Sequence, residues 1–372
     1  MKILYYFQEL DTPMFQWQRR HFLDELLRHD IEFETFNPLV FENPDEANSN
    51  LLNKATTGNY DLFISNMGYY KMLYVDTLEE IRRSGLPTLR IAWDNLMIPY
   101  IDEKLSKHFD LVWLTAKETE GIYKKWGVNY FFAPYAANPF TYNYNKPNML
   151  KRTACFIGTP HGSRAFMINS LTKNEVRVDL YCGGIKNNRE RTTRNNLKYS
   201  IINPSATETI MNRFRFSEGR KMLMGSFINR IKGSAKLDYN NYLVKHDGLP
   251  HEEMVETYSS AALAIAFTSA GHTDVLNTPL PIINLRNFEI PMCGGIELCK
   301  YNEELAGYFE EGKEIVFYND NEELIDKANY YLTKASDEVL LKMKMAARMR
   351  AEKEHSWWNR FTIAFNHLGL RY

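Results

Sequence analysis

Short β-rich runs alternate with runs of helical spacing along this chain, and the alternation happens twice. In the first third, KILYYF is followed by the helical FQWQRRHFLDELLRH and then by the strand-like IEFETFN. DLFISN, the helical YVDTLEEIRRSG, PTLRIAW, the helical PYIDEKLSKHF, DLVWLTA, the helical ETEGIYKKWG and NYFFAPY continue the series. Strands that alternate with helices across short links predict a parallel sheet with helices on both faces, a doubly wound Rossmann-like domain. Only ENPDEANSNLLNKATTGN, polar and rich in turn formers, reads weakly as helix.

A Pro- and Asn-rich stretch, AANPFTYNYNKPNMLKR, has the composition of a linker, and after it the alternation restarts. TACFIG, the helical SRAFMINSLTKN and VRVDLYCGG come first. YLVKHDG, the helical PHEEMVETYSSA, ALAIAFT, the segment RNFEIPMCGGIEL, EIVFYN and the helical NEELIDKANYYLTKA complete the unit. A length of 372 residues suits two such domains. The expected boundaries are 1–147, 148–355 and a C-terminal helix at 356–372, whose aromatic stripe SWWNRFTIAFNHL wants burial against the first domain. A cleft between the domains is then the expected place for a ligand.

Apolar residues make up 44% of the chain and charged residues 24%, with a net charge of -1, so no overall field draws nucleic acid. The four cysteines, Cys155, Cys182, Cys293 and Cys299, show no C-x-x-C pair and no nearby histidine set, which argues against a zinc site or a disulfide framework. MKILYYFQEL lacks the pattern of a signal peptide, and no apolar run reaches the roughly 18 residues of a membrane span. The expected location is the cytoplasm or the inner face of the membrane.

Residues 185–241 interrupt the second domain with a basic insertion. Between Lys186 and Lys236 there are twelve Lys or Arg against Glu190, Glu208 and Glu218. Within it, RKMLMGSFINRIKG sets Met224, Phe227, Ile228 and Ile231 at helical spacing among basic residues. Two readings lead: the apolar stripe packs on its own domain, or residues 213–236 touch an anionic membrane surface; nucleic acid comes third, since no recognition motif accompanies the charge.

In open parallel sheets ligands bind beyond the carboxyl ends of the strands, which selects the loops to inspect. Asp94 stands just past the apolar strand LRIAW, so it is the first-domain candidate for contact with a hydroxyl nucleophile; the alternative is an Asx turn or a helix cap before Pro99. FIGTPHGSR follows a buried-looking strand and opens a helix. Gly158 and Gly162 permit close approach of the backbone, the helix amides suit a phosphate, and Arg164 adds charge. The spacing is neither G-x-G-x-x-G nor a P-loop, so a plain turn, with His161 only a loop residue, is the other reading.

RNFEIPMCGGIEL places Glu289 and Glu297 eight positions apart. Read as a short helix, it tolerates Pro291 only in the first turn. Glu289 then sits near the N-terminal end, Gly294 and Gly295 end the helix, and Glu297 opens the next strand. A carboxylate accepts two hydrogen bonds and suits a diol, so the pair fits sugar hydroxyls on both sides of a phosphate that Arg286 neutralises. The alternative is a helix-capping Glu289 and a solvated strand residue at Glu297.

R-x-F-E-x-x-x-C-G-G with its second Glu, together with EELAGYFEEGKEIVFYNDNEELIDKANYYL and the R-x-x-x-E-H-S-W-x-x-R tail, resembles the C-terminal domain of spore-maturation-protein-B-like glycosyltransferases. FIGTPHGSR and HDGLPHEEMVETYSSAALAIAF are similar to the same pattern, so the resemblance runs from about Thr153 to Arg360, the basic insertion excepted. Before that it rests on element order and on TLRIAWDN. The resemblance implies a GT-B fold of two Rossmann-like domains facing across a cleft, the E-x7-E group, and a retaining, metal-independent hexosyltransferase. It implies a nucleotide-diphosphate-sugar donor, with uridine favoured, and no other cofactor.

On the resemblance, Glu289 meets the donor sugar and Glu297 the ribose, while Arg286, Gly158 and Arg164 attend the diphosphate. The base lies along Asp247, Gly248 and Leu249, and His161, His272 and Asn284 count among the donor contacts. The acceptor, a glycan or a lipid-linked hydroxyl, enters near Asp94. Two features differ from other glycosyltransferases: QELDTPMFQWQ, after the first strand, has no glycine, and no D-x-D metal-bridging pair is present. A nucleotide-sugar epimerase on the same fold and a noncatalytic coat component are the competing readings.

Overall fold

The computed structural model describes residues 1–9, 17–97, 99–144, 146–147, 149–183, 206–233 and 236–372. By internal contacts the described residues form two compact units. The first holds Met1–Asn138 with Asn196–Glu218 and Trp357–Tyr372, and the second Pro139–Asn195 with Gly219–Ser356.

In the first unit, β1 (Lys2–Tyr6), β2 (Glu32–Phe36), β3 (Leu62–Ser65), β4 (Thr88–Ala92), β5 (Leu111–Leu114) and β6 (Tyr130–Phe132) form one sheet in the order β2-β1-β3-β4-β5-β6. In the second, β7 (Lys151–Ile157), β8 (Val178–Tyr181), β9 (Leu243–His246), β10 (Ala261–Ile265), β11 (Glu297–Lys300) and β12 (Ile315–Tyr318) form another in the order β12-β11-β10-β7-β8-β9. Every pairing is parallel. Strands β3, β4, β5, β10 and β12 are buried along their whole length, as expected for sheets covered on both faces. Each strand-like run picked out in the sequence is one of these strands.

The helices include α1 (Pro44–Thr57), α2 (Ser163–Lys173), α3 (Ala206–Phe214), α4 (Ser217–Lys232), α5 (Arg286–Met292), α6 (Asp337–Glu354) and α7 (Trp357–His367). Helix α1 corrects the weak reading of ENPDEANSNLLNKATTGN. Its start is well specified, since the Asn43 side chain accepts the Glu46 N–H at 2.9 Å and Pro44 occupies the first helical position. Ala47, Leu51 and Ala55 supply a narrow buried stripe at four-residue spacing, too sparse to register against a polar background. PYIDEKLSKHF is more broken than its spacing predicts, with a short helix at Pro99–Asp102 and a 3-10 turn at Ser106–His108. Asp102 is buried there, paired with Arg90 at 2.6 Å and accepting from Tyr123 at 2.7 Å.

Helix α7 belongs to the first unit, and Trp357, Phe361 and Phe365 are buried along it. The Trp357 backbone N–H donates to Glu25 at 3.0 Å and its indole N–H to His21 at 2.9 Å. The basic segment divides: α3 groups with the first unit and nearly all of α4 with the second. Residues 184–205, 234–235 and 10–16 lie outside the described residues, and with them much of the basic insertion and most of the QELDTPMFQWQ loop.

Candidate functional site

In the second sheet the chain leaves β7 toward β8 and β9 on one side, then returns to β10, β11 and β12 on the other. The order therefore reverses between β7 and β10, and the carboxyl ends of these two strands frame the crevice in which open α/β sheets bind ligands. Two loops meet there. One is Gly158–Gly162, between β7 and α2; the other is the long connection from β10 to α5.

Gly162 adopts φ 61°, and a Cβ on it would lie 2.6 Å from Nδ1 of His272. Glycine is therefore needed both for the backbone and for the packing of the second loop. Ser163, the first residue of α2, donates to Asp274. His161 and His272 face each other edge to face with ring centroids 5.6 Å apart. Desolvation lowers the pKa of His161, and Arg164 and His272 lower it further, so its neutral form is favoured. Arg164 lies over the Phe267 ring at 5.4 Å and donates to the Thr159 carbonyl at 3.3 Å. Its pKa falls through desolvation and the nearby Arg286, against the pull of Asp274. Two guanidinium groups that disfavour each other, beside the N-terminal amides of an eleven-residue helix, make a place suited to an anion.

Arg286 is the first residue of α5. The sequence places this helix correctly, but Pro291 falls in its last turn rather than its first. The helix ends one residue later, so the missing amide disrupts little. The Gly295 N–H bonds to the Ile290 carbonyl and the Gly294 N–H to the Pro291 carbonyl, both at 2.8 Å. With Gly294 at φ 69°, this is a Schellman ending.

Glu289, 5% exposed, accepts from the Tyr142 hydroxyl at 2.6 Å and from Arg286 at 3.1 Å. It is not a helix cap. Asn284, two residues before the helix, accepts the Arg286 N–H on its side chain at 3.0 Å and donates to the Phe267 carbonyl at 3.0 Å. Asn284 thus holds the loop that leads into α5.

Glu297 lies deeper. It is the first residue of β11, paired in register with Ala264 and Ile315 within the sheet, and only 1% exposed. Asn287 donates to its Oε1 at 2.5 Å, while Oε2 has no hydrogen-bond partner among the described residues. Desolvation raises its pKa to about 7, against smaller lowering by the Cys299 thiol and Asn287. The residue is therefore not the solvated strand residue of the alternative reading. The eight-residue spacing thus joins a carboxylate at the edge to one inside the sheet.

Asp247, Gly248 and Leu249 follow β9, the edge strand, and lie on the same carboxyl edge as the crevice. Strands β8 and β7 intervene before β10, so about 14 Å of sheet separates this loop from the His272 loop.

In the first unit Asp94 has φ 48°, a backbone state uncommon outside glycine. The Tyr135 hydroxyl donates to Oδ1 of Asp94 at 3.0 Å and accepts the Asp94 N–H at 3.1 Å. Desolvation raises the Asp94 pKa, against the Tyr135 hydrogen bond, although the residue remains exposed.

Two contributors escaped the sequence reading. Tyr142, in the stretch read as a linker, is buried on Glu289 with its ring 4.7 Å from His251. Arg348 of α6 is buried and donates to the carbonyls of Tyr142 at 2.6 Å, Pro139 at 2.9 Å and Met292. It closes the end of α5 and fixes the strand of chain that presents Tyr142. The only hint in the sequence is a cluster of aromatic residues, NPFTYNY, inside an otherwise polar stretch.

Residues 208–365 match the family described as Glycosyl transferase-like. No curated protein is significantly similar in sequence. Among solved structures, the chain is similar to HepE of Anabaena in complex with UDP-glucose, with a TM-score of 0.55 and 12% identity over 100% of both chains. It is similar to sucrose-phosphate synthase from Thermosynechococcus elongatus, with a TM-score of 0.56 and 12% identity over 99% of this chain and 98% of that one. An alpha-glucosyltransferase in complex with UDP and a 13-mer DNA gives a TM-score of 0.59 and 10% identity over 99% of each. The two six-stranded parallel sheets therefore form the GT-B fold of glycosyltransferase structures, and the glycosyl transferase-like sequence spans residues 208–365.

Proposed function

We propose that this protein is a glycosyltransferase that moves a hexose from a nucleotide-diphosphate sugar to a hydroxyl acceptor. The observation that carries the reading is the set at the β7/β10 edge: Arg164 and Arg286 beside the amides of α2, with Glu289 adjoining Arg286. A diphosphate bridges the two guanidinium groups, and the hydroxyls of the sugar meet the Glu289 carboxylate that Tyr142 and Arg286 orient. The nucleoside extends toward Asp247–Leu249. Uridine is the favoured base, in keeping with the UDP-bound relatives of this fold.

Breaking the anomeric bond leaves negative charge on the departing phosphate. Arg164, Arg286 and the α2 amides are preorganised to receive it, so the chain's own groups supply the stabilisation and a metal ion is not required by this reading. The departing phosphate oxygen accepts the proton of the acceptor hydroxyl as the new bond forms on the same face of the sugar. Retention of configuration and the narrower kinship with spore-maturation-protein-B-like enzymes rest on the sequence resemblance of residues 153–360. His161, neutral beside Arg164, donates a hydrogen bond to the diphosphate, and His272 lines the same loop. Asp94, backed by Tyr135, orients the acceptor, for which a glycan or lipid-linked hydroxyl at the cytoplasmic face of the membrane is proposed.

A thermal-shift screen of uridine, guanosine and thymidine diphosphates and their sugars identifies the donor through stabilisation on binding. With that donor, Glu289→Gln is expected to lower kcat/KM by about 100-fold, and NMR of the product is expected to show the donor's anomeric configuration. Unchanged kinetics in Glu289→Gln would remove Glu289 from the site, and an inverted product would remove the retaining mechanism.

A further inference from the structure

Helix α4 is seated by its small side. Gly219, Met222, Gly225 and Asn229 are its buried residues. A Cβ on Gly225 would lie 2.7 Å from the carbonyl oxygen of His272, so the helix backbone rests directly on the loop that carries that residue. Of the two readings of the apolar stripe, packing on its own domain is not what Met224, Phe227 and Ile231 do: they crown the opposite face. Met224 is 52% exposed, Phe227 64% and Ile231 69%. With Arg220 they fall at i, i+4, i+7 and i+11, a single ridge along the helix.

Lys221, Arg230 and Lys232 flank the ridge, and none of the three forms an ion pair with another described residue. Helix α3, taken by itself, has no buried residue and exposes Ile210, Met211 and Phe214. Among the described residues, no helix is long and apolar enough to cross a membrane.

We infer that α4 is a membrane-docking helix: its Met224–Phe227–Ile231 ridge enters the headgroup region of a bilayer, and Lys221, Arg230 and Lys232 contact anionic lipid headgroups. An apolar ridge edged by cations is the arrangement that an interface of buried acyl chain and surface anion selects. A second copy of the chain fits less well, because a two-fold contact through this ridge sets the same cations against each other. Nucleic acid supplies the anions but leaves the ridge against phosphate and water. Docking through α4 brings the membrane surface to the helix that supports the His272 loop. The inference stands on the surface of α4 and does not require the donor reading.

The test uses the full chain and sedimentation with vesicles of phosphatidylcholine alone or mixed in equal parts with phosphatidylglycerol. The protein is expected to sediment with the mixed vesicles and to be released by salt. Met224→Glu with Phe227→Glu is expected to weaken binding by at least about 10-fold, and Lys221→Glu with Arg230→Glu by about 5-fold or more per charge. Met224, Phe227 and Arg230 are exposed and Lys221 is half-buried, so circular dichroism and the donor-induced thermal shift should match the unaltered protein. A protein that stays in solution with both vesicle types overturns the inference, as does a double variant that sediments normally. So does a concentration-dependent dimer that Phe227→Glu abolishes, which would make the ridge a contact between copies. Absence of a donor-induced shift alongside normal vesicle binding would count against the donor reading alone.

Discussion

Glu289 and Glu297 carry the same carboxylate into different surroundings. Glu289 has a cation and a phenol to share its charge, whereas Glu297 has one amide, a thiol and an unpartnered oxygen inside the sheet. Because burial raises the Glu297 pKa from its ordinary value to about 7, the folded protein holds a proton between these pH values that the unfolded chain has released. Stability contributed by this residue is therefore present at low pH and lost as pH rises toward and through 7. Glu297→Gln keeps an acceptor for Asn287 and removes the charge. The variant is expected to be more stable than the parent at pH 8, by about 3 kcal/mol at most, with the gain fading below pH 5. Denaturant melts at both pH values check this, and an equal difference at each would show that Glu297 is not titrating in the folded state.

At the scale of elements, α5 shows how a short segment acquires a precise ending. Proline in the last turn and left-handed Gly294 stop the helix, and the turn then leads directly into β11. A Cβ on Gly294 would lie 2.3 Å from the Tyr144 ring, so the position combines an unfavourable φ with a lack of space. Gly294→Ala is expected to destabilise the protein by about 2 kcal/mol, read from the urea midpoint; a neutral substitution would mean that the ring moves aside and the backbone change is tolerated. The first turn of α5 was placed too late, but its glycine ending was legible, as were the strand runs, because both depend on neighbours in sequence. α1 was not, since its buried stripe is three residues wide in a polar segment. The face that α4 buries was not legible either: apolar spacing marked the Met224 ridge, but the glycines made the close approach.

At the scale of the whole molecule, much of the second unit's order depends on two buried cations of α6. Lys344 donates to the carbonyls of Ala261 at 2.7 Å, Tyr258 at 3.3 Å and Gly294 at 3.4 Å, and Arg348 takes those of Met292, Tyr142 and Pro139. Burial lowers the Lys344 pKa to about 8, and its Nζ donates to three backbone carbonyls. Lys344→Met is expected to lose about 3 kcal/mol near neutral pH. The loss should grow as pH passes through 8, because the folded parent gives up a proton there that its unfolded counterpart keeps, which raises the parent's stability while methionine does not titrate. Thermal melts of parent and variant across that range test it, and a variant as stable as the parent would show that these carbonyls need no cation.

The sequence by itself determined the strands, their parallel order in two sheets and the loops at the carboxyl ends, because hydrophobic period and turn residues act over a few positions. Only the tertiary structure decided that Glu289 meets Tyr142 across 147 positions of chain, that Glu297 is sealed inside the sheet, and that α4 turns its apolar ridge outward. Those outcomes depend on which surfaces approach closely enough to exclude water, and that distance is set by residues far apart in the chain.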